Sequence, residues 1–126
     1  MQTALQTVLL VLVPVLISVI GQILLKKGMG EVGQFDFAAI SQILPQFIRA
    51  FINPYVFMGF AFYFLSSIFW MIVLSKVQLS VAYPMLSLGY VFVLIASWFI
   101  FKEPVTAVRW LGVLVIMLGV TLISRS

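Results

Sequence analysis

The sequence predicts an all-α membrane protein, with four transmembrane helices and one interfacial amphipathic helix between spans one and two. Three observations carry this. Of the 126 residues, 64% are hydrophobic and only 8% charged, with a mean hydropathy of +1.27, which is more apolar surface than the interior of a soluble domain this small can hide. Four apolar runs are long enough to cross the bilayer, since a helix rising about 1.5 Å per residue spans the roughly 30 Å hydrocarbon layer in about twenty residues. The charges fall between these runs rather than within them. Residues 1–126 therefore read as a single transmembrane domain, with spans at about 4–26, 55–75, 79–101 and 106–124 and the interfacial helix at about 37–52.

The first run, Ala4 to Leu25, is closed by Lys26 and Lys27. A signal peptide has a shorter apolar core with its positive charge ahead of it, so this run is expected to be a retained span. Pro14, Ser18, Gly21 and Gln22 fall on one side of that helix. An amide at membrane depth needs a partner or water, so this side should face the bundle or a cavity. Gly28 to Gln34 reads as a glycine-rich turn. From Phe37 to Ile52, apolar residues alternate with Ser41, Gln42, Gln46 and Arg49 at helical spacing, a pattern too polar to span and suited to the interface, with a kink expected at Pro45.

Asn53-Pro54 opens the second span, with Pro54 in a first turn that tolerates it. Tyr63, Ser67 and Trp70 share a face there. The link from Ser75 to Gln78 is short enough to require an antiparallel neighbour. In the third span, Tyr83, Ser87, Tyr90 and Ser97 recur at helical spacing and are expected to form one polar stripe. Pro84 lacks an amide hydrogen, so the helix should bend or loosen near its start. Lys102-Glu103-Pro104 ends that span, and Arg109-Trp110 anchors the start of the fourth. Gly112 and Gly119, seven residues apart on the last helix, are the expected dimer interface, because missing side chains let another backbone approach closely.

The chain has no cysteine and no histidine, which excludes disulfides, thiolate or imidazole metal sites and Ser-His-Asp catalysis. No enzyme activity, cofactor or metal is expected, and a charge of +4 spread over membrane ends gives no support for nucleic-acid binding. Five of the seven basic residues, Lys26, Lys27, Arg49, Lys102 and Arg109, lie in the first and third links. That bias predicts these links in the cytoplasm and both termini outside.

The runs VAYPMLSLGYVFV and KEPVTAVRWLGVLVIMLGVTLIS, with ISVIGQILLKKG in the first span, resemble the small four-helix members of the drug/metabolite transporter superfamily. Within it the chain looks most like the paired small subunits proposed to flip undecaprenyl-phosphate-linked 4-amino-4-deoxy-L-arabinose. The resemblance implies a multi-pass protein of the bacterial inner membrane, a flippase subunit for a polyprenyl-phosphate-linked sugar, with aminoarabinose as the candidate. It implies the lipid substrate, membrane lipids and a second copy or a homologous small subunit as partners. For such a substrate the tail stays in lipid, and a slot of uncharged hydrogen-bonding groups suffices for the head. Ser18, Gln22, Tyr63, Tyr83, Ser87 and Tyr90 are the candidates for that slot, while Lys26 and Arg109 could meet the phosphate and Glu103 the amine. For Ser66, Ser67 and Ser97 a role in tying helices together is preferred.

The alternative is a small multidrug-resistance-like exporter of cations or other small metabolites. Those relatives carry a glutamate in the first span and a tryptophan in the third, where this chain has Ser18 and Leu86. A proton-coupled exchanger needs a buried carboxylate that holds either proton or substrate, and no apolar run here contains one. A third class is a membrane assembly factor that transports nothing.

Overall fold

A computed structural model describes residues 4–36, 38 and 40–125. Its helices are α1 (Ala4–Val32), α2 (Ile43–Ile52), α3 (Pro54–Lys76), α4 (Leu79–Met85), α5 (Leu88–Phe99) and α6 (Ala107–Arg125), with a 3-10 turn at Ile40–Gln42 leading into α2. There is no strand among the described residues. Four stretches are long and apolar enough to cross a membrane: α1, α3, α4 with α5 as one interrupted span, and α6. The amphipathic helix lies between spans one and two, as the pattern predicts, although Phe37 itself lies outside the described residues.

α1 is the axis of the bundle, lying along α3 and touching α4, α5 and α6. Val11, Val15 and Val19 line its core face and pack with Val73, Ala82, Met85, Leu88 and Val120. The approach to α3 runs through glycine. A Cβ on Gly21 would sit 2.9 Å from the Gly59 carbonyl oxygen, and one on Gly59 would sit 2.9 Å from the Gly21 carbonyl oxygen. Without side chains the two backbones come within contact, the packing that membrane helices use in place of a hydrophobic driving force. About two turns toward the end of α1, a Cβ on Gly28 would meet Val56 at 2.6 Å.

That contact corrects the reading of Gly28 to Gln34 as a turn. The helix continues through Gly28 and Gly30 to Val32, and the chain turns only at Gly33, whose φ of +95° suits glycine. Lys26 and Lys27 end the apolar run without ending the helix, because lysine is a good helix former and the following turns rest on α3. At 29 residues, α1 is about 43 Å long and outreaches the roughly 30 Å hydrocarbon layer by two to three turns.

α3 begins with Pro54 in its first turn and Asn53 as its cap, the Asn53 Oδ1 accepting from the amides of Tyr55 (3.0 Å) and Val56 (3.3 Å). The same side chain donates through Nδ2 to Glu31 at 3.1 Å, tying the ends of α1 and α3 together. Pro45 does not kink α2. It occupies the first turn of that helix, where a missing amide hydrogen leaves no bond unmade. Phe51 stacks on Phe60 of α3 at 5.2 Å, while Leu44, Ile48 and Ile52 project away from the protein. Gln46, expected on the polar face, is buried, with Nε2 donating to the carbonyls of Asp36 (2.7 Å) and Gln42 (2.8 Å) and Oε1 accepting from the Asp36 amide at 2.6 Å.

The third span breaks between α4 and α5, just after Pro84. The amides of Leu86, Ser87, Gly89 and Tyr90 donate three residues back, to Tyr83, Pro84, Leu86 and Ser87, at 2.9–3.1 Å. This is 3-10 winding. Each residue at three per turn instead of 3.6 advances the helix by about 20° more, so the polar stripe expected from Tyr83 through Ser97 is twisted apart.

Candidate functional site

The polar residues of α1, α3 and α5 meet at a hollow of about 390 Å³. Ser18 and Gln22 enter it from α1, Tyr63, Ser67 and Trp70 from α3, and Tyr90 from α5. The sequence places Tyr63, Ser67 and Trp70 on one face, and that face lines the hollow. Ser18 donates its hydroxyl hydrogen to the Val15 carbonyl at 2.8 Å, and Ser67 donates to the Phe64 carbonyl at 2.7 Å. Their oxygens thus remain as acceptors. Ser66 also borders the hollow but is buried, and it donates to the Pro14 carbonyl of α1 at 2.7 Å, the helix-tying role expected of it.

A second hollow of about 190 Å³ shares Gln22 and Val93 with the first and reaches the charged end of the bundle, where Lys26, Ser97 and Glu103 line it. Lys26 Nζ lies 3.7 Å from Glu103 Oε1. Both side chains are substantially exposed, so the pair contributes about 0–1 kcal/mol to stability. Ser18, Gln22 and Lys26 follow one another at i, i+4, i+8, a row of hydroxyl, amide and ammonium climbing one stripe of α1.

The remaining candidates lie elsewhere. Tyr83 projects from α4 beside Leu79, Ser80 and Pro84, and is 64% exposed. Ser87 turns into a cleft against α6 with Ile116 and Gly119, its hydroxyl donating to the Pro84 carbonyl at 2.6 Å. The over-wound break separates both from Tyr90. Arg109 is engaged by its own turn, with Nη1 donating to the Pro104 carbonyl at 3.0 Å. On α6, a Cβ at Gly112 or Gly119 would meet nothing within 4 Å, so neither glycine makes a close helix contact within the chain. All three serines expected to tie helices, Ser66, Ser67 and Ser97, line a hollow, and Ser66 makes a tie as well.

Chemically the two neighbouring hollows offer uncharged acceptors and an amide at membrane depth, four aromatic rings, and one cation and one anion at the mouth. No carboxylate lines the larger hollow, and Ser18 stands there instead. No group of three or more metal-ligating side chains occurs among the described residues.

No solved structure matches the chain. It is similar to the "Probable 4-amino-4-deoxy-L-arabinose-phosphoundecaprenol flippase subunit ArnF" of Proteus mirabilis (strain HI4320), 35% identical over 123 residues, covering 88% of this chain and 86% of that relative. The subunit named ArnE of Serratia proteamaculans (strain 568) is 37% identical over 95 residues, 75% of this chain and 83% of the relative. In the alignment to ArnE of Pseudomonas fluorescens (strain Pf0-1), 46% identical over 57 residues, the chain spans only about half the relative's length. A family model described as "Putative transmembrane family 234" matches residues 8–124. With nearly the whole chain matched by that model and most of it by relatives of both subunit types, the protein belongs to this transmembrane family.

Proposed function

We propose that this protein is one subunit of a flippase that carries the head of a polyprenyl-phosphate-linked sugar, aminoarabinose being the candidate, across the bacterial inner membrane. The convergence of Ser18, Gln22, Tyr63 and Tyr90 on one hollow inside the spans is the observation that carries the reading. Groups of this kind replace the water around a sugar without burying an unpaired charge. The tail remains in lipid, so the slot handles only the phosphate and the sugar. The names of the relatives, flippase subunits of two kinds, favour the same activity.

The partner is a second copy or a homologous small subunit, seated on α6. The open flank at Gly112 and Gly119 supports that placement, as does the slight burial of α6, where Val120 is the one buried residue among those described. Alternating access through a pair of related four-helix chains follows the repeat logic of larger transporters. Lys26 and Glu103 meet the headgroup at the mouth. Tyr83, Ser87 and Arg109, which lie off the slot, are proposed to act at the partner face and the membrane edge.

A cation exporter is the second reading, favoured by Tyr63, Trp70 and Tyr90, whose rings could hold an organic cation. Reconstitution into liposomes separates the two. Inward protection of a tagged lipid-linked sugar from an external reagent supports the flippase, whereas proton-driven uptake of a quaternary ammonium ion with no lipid movement refutes it. Ser18→Ala and Gln22→Ala should each slow headgroup movement about 2–10-fold, the worth of a neutral hydrogen bond of roughly 0.5–1.5 kcal/mol, without loss of folded protein.

A further inference from the structure

We infer that Lys26 and Glu103 form a gate that reads both charges of a zwitterionic headgroup, the phosphate through Lys26 Nζ and the ammonium of an aminosugar through the Glu103 carboxylate. This rests on the flippase reading and adds what the slot selects against: the same lipid with its amine blocked.

The pair lines the smaller hollow at the charged end of the bundle, bridging the last third of α1 and the turn after α5 at 3.7 Å. Gln22, one helical turn deeper on the stripe of Lys26, leads from the pair into the larger hollow. The two partners are 61% and 39% exposed. They hold each other weakly, and arriving charges can displace them. Two other cations at this end are engaged elsewhere, Arg109 with the Pro104 carbonyl and Lys27 over the Tyr55 ring at 4.8 Å.

Selectivity follows from charge matching. When a phosphate takes Lys26, Glu103 loses its partner and faces an added anion at close range, an arrangement that disfavours entry. A headgroup carrying its own ammonium supplies the missing partner in the same event. The ion pair is exchanged for two new ones with no charge left over, and the turn after α5 is freed from α1. A sugar phosphate without the amine satisfies only half of the exchange.

The test reconstitutes the full chain with two probes, a polyprenyl-phosphate aminosugar and its N-acetylated counterpart, each scored by protection from a membrane-impermeant oxidant of sugar diols. The native protein should move the amine-bearing lipid about tenfold faster or more, given the cost of facing like charges. Glu103→Gln should bring the two rates within about twofold of each other, and Glu103→Asp should keep the native preference. Glu103→Gln should melt close to the native protein, because a pair this exposed adds little stability, so a changed ratio is not a folding effect. A purely mechanical latch would slow both lipids equally in Glu103→Gln and leave their ratio unchanged, which overturns the gate. Equal native rates for the two lipids also overturn it while leaving the flippase reading intact. Movement of neither lipid, by the chain alone or together with a homologous small subunit, removes the flippase reading, and the gate with it.

Discussion

Gly21 and Gly59 cross so closely that a methyl group on either would press on the other's carbonyl oxygen. A Cβ at position 59 would also lie 2.9 Å from Leu25 Cγ and 3.1 Å from the Leu25 amide nitrogen. Neither neighbour is a free side-chain end that could step aside, since two of the three contacts are backbone. Gly59→Ala should therefore lower stability by about 1–3 kcal/mol, the usual cost of overpacking, read as a lower melting temperature in detergent. Gly112→Ala is the control. Its Cβ meets nothing in the chain, and alanine favours a helix over glycine by roughly 1 kcal/mol, so the melting temperature of detergent-dispersed monomer should hold or rise slightly. The sequence places Gly21 beside Ser18 and Gln22, a correct statement about which side of α1 it occupies. Its role as a contact was not legible there, because what a glycine admits depends on which helix crosses it.

At the scale of elements, the third span shows how one residue redirects several others. Pro84 takes an amide hydrogen out of the ladder, and the next turn closes by shorter bonds, helped by Ser87 donating to the Pro84 carbonyl. The sequence foretells the disturbance at Pro84. It does not foretell the rotation, because a pattern drawn at 3.6 residues per turn assumes even winding. As a consequence Tyr90 faces the slot while Ser87 faces α6. Restoring the amide by Pro84→Ala should let α4 and α5 join as one α-helix. Hydrogen exchange at Leu86 to Tyr90 should then slow, and headgroup movement should fall about tenfold or more, the scale at which small displacements of positioning groups act. Unchanged exchange in that segment would place the origin of the break outside Pro84.

At the scale of the whole molecule, charge is divided between the two ends. Lys26, Lys27, Arg49, Lys102 and Arg109 share one end with all three acidic residues, and Lys76 and Arg125 mark the other. The proposed orientation puts the crowded end in the cytoplasm. Because the chain has no cysteine, single-cysteine variants report this directly. In intact cells Gln34→Cys should resist a membrane-impermeant maleimide and Lys76→Cys should react, and the opposite pattern would invert the orientation. The proposed pairing on α6 makes a further expectation. Gly112→Leu with Gly119→Leu should abolish crosslinking between subunits and headgroup movement together, while the monomer keeps its helical content.

The sequence by itself determined that this chain lives in a bilayer, how many times it crosses, where its surface helix lies and that no buried carboxylate is available. Each of these follows from local quantities, namely run length, residue period and the position of charge, that lipid reads without regard to the rest of the fold. Only the tertiary structure decided which polar groups work together. It joined Ser18 and Gln22 to Tyr63, Ser67 and Tyr90, sent Ser87 and Tyr83 elsewhere, and matched Lys26 with Glu103 across 77 positions of sequence. The physical reason is that a slot is a relation among three helices. Their mutual rotation is set by where glycines permit contact and where a proline over-winds the chain, and that is a property of packed pairs rather than of any one segment.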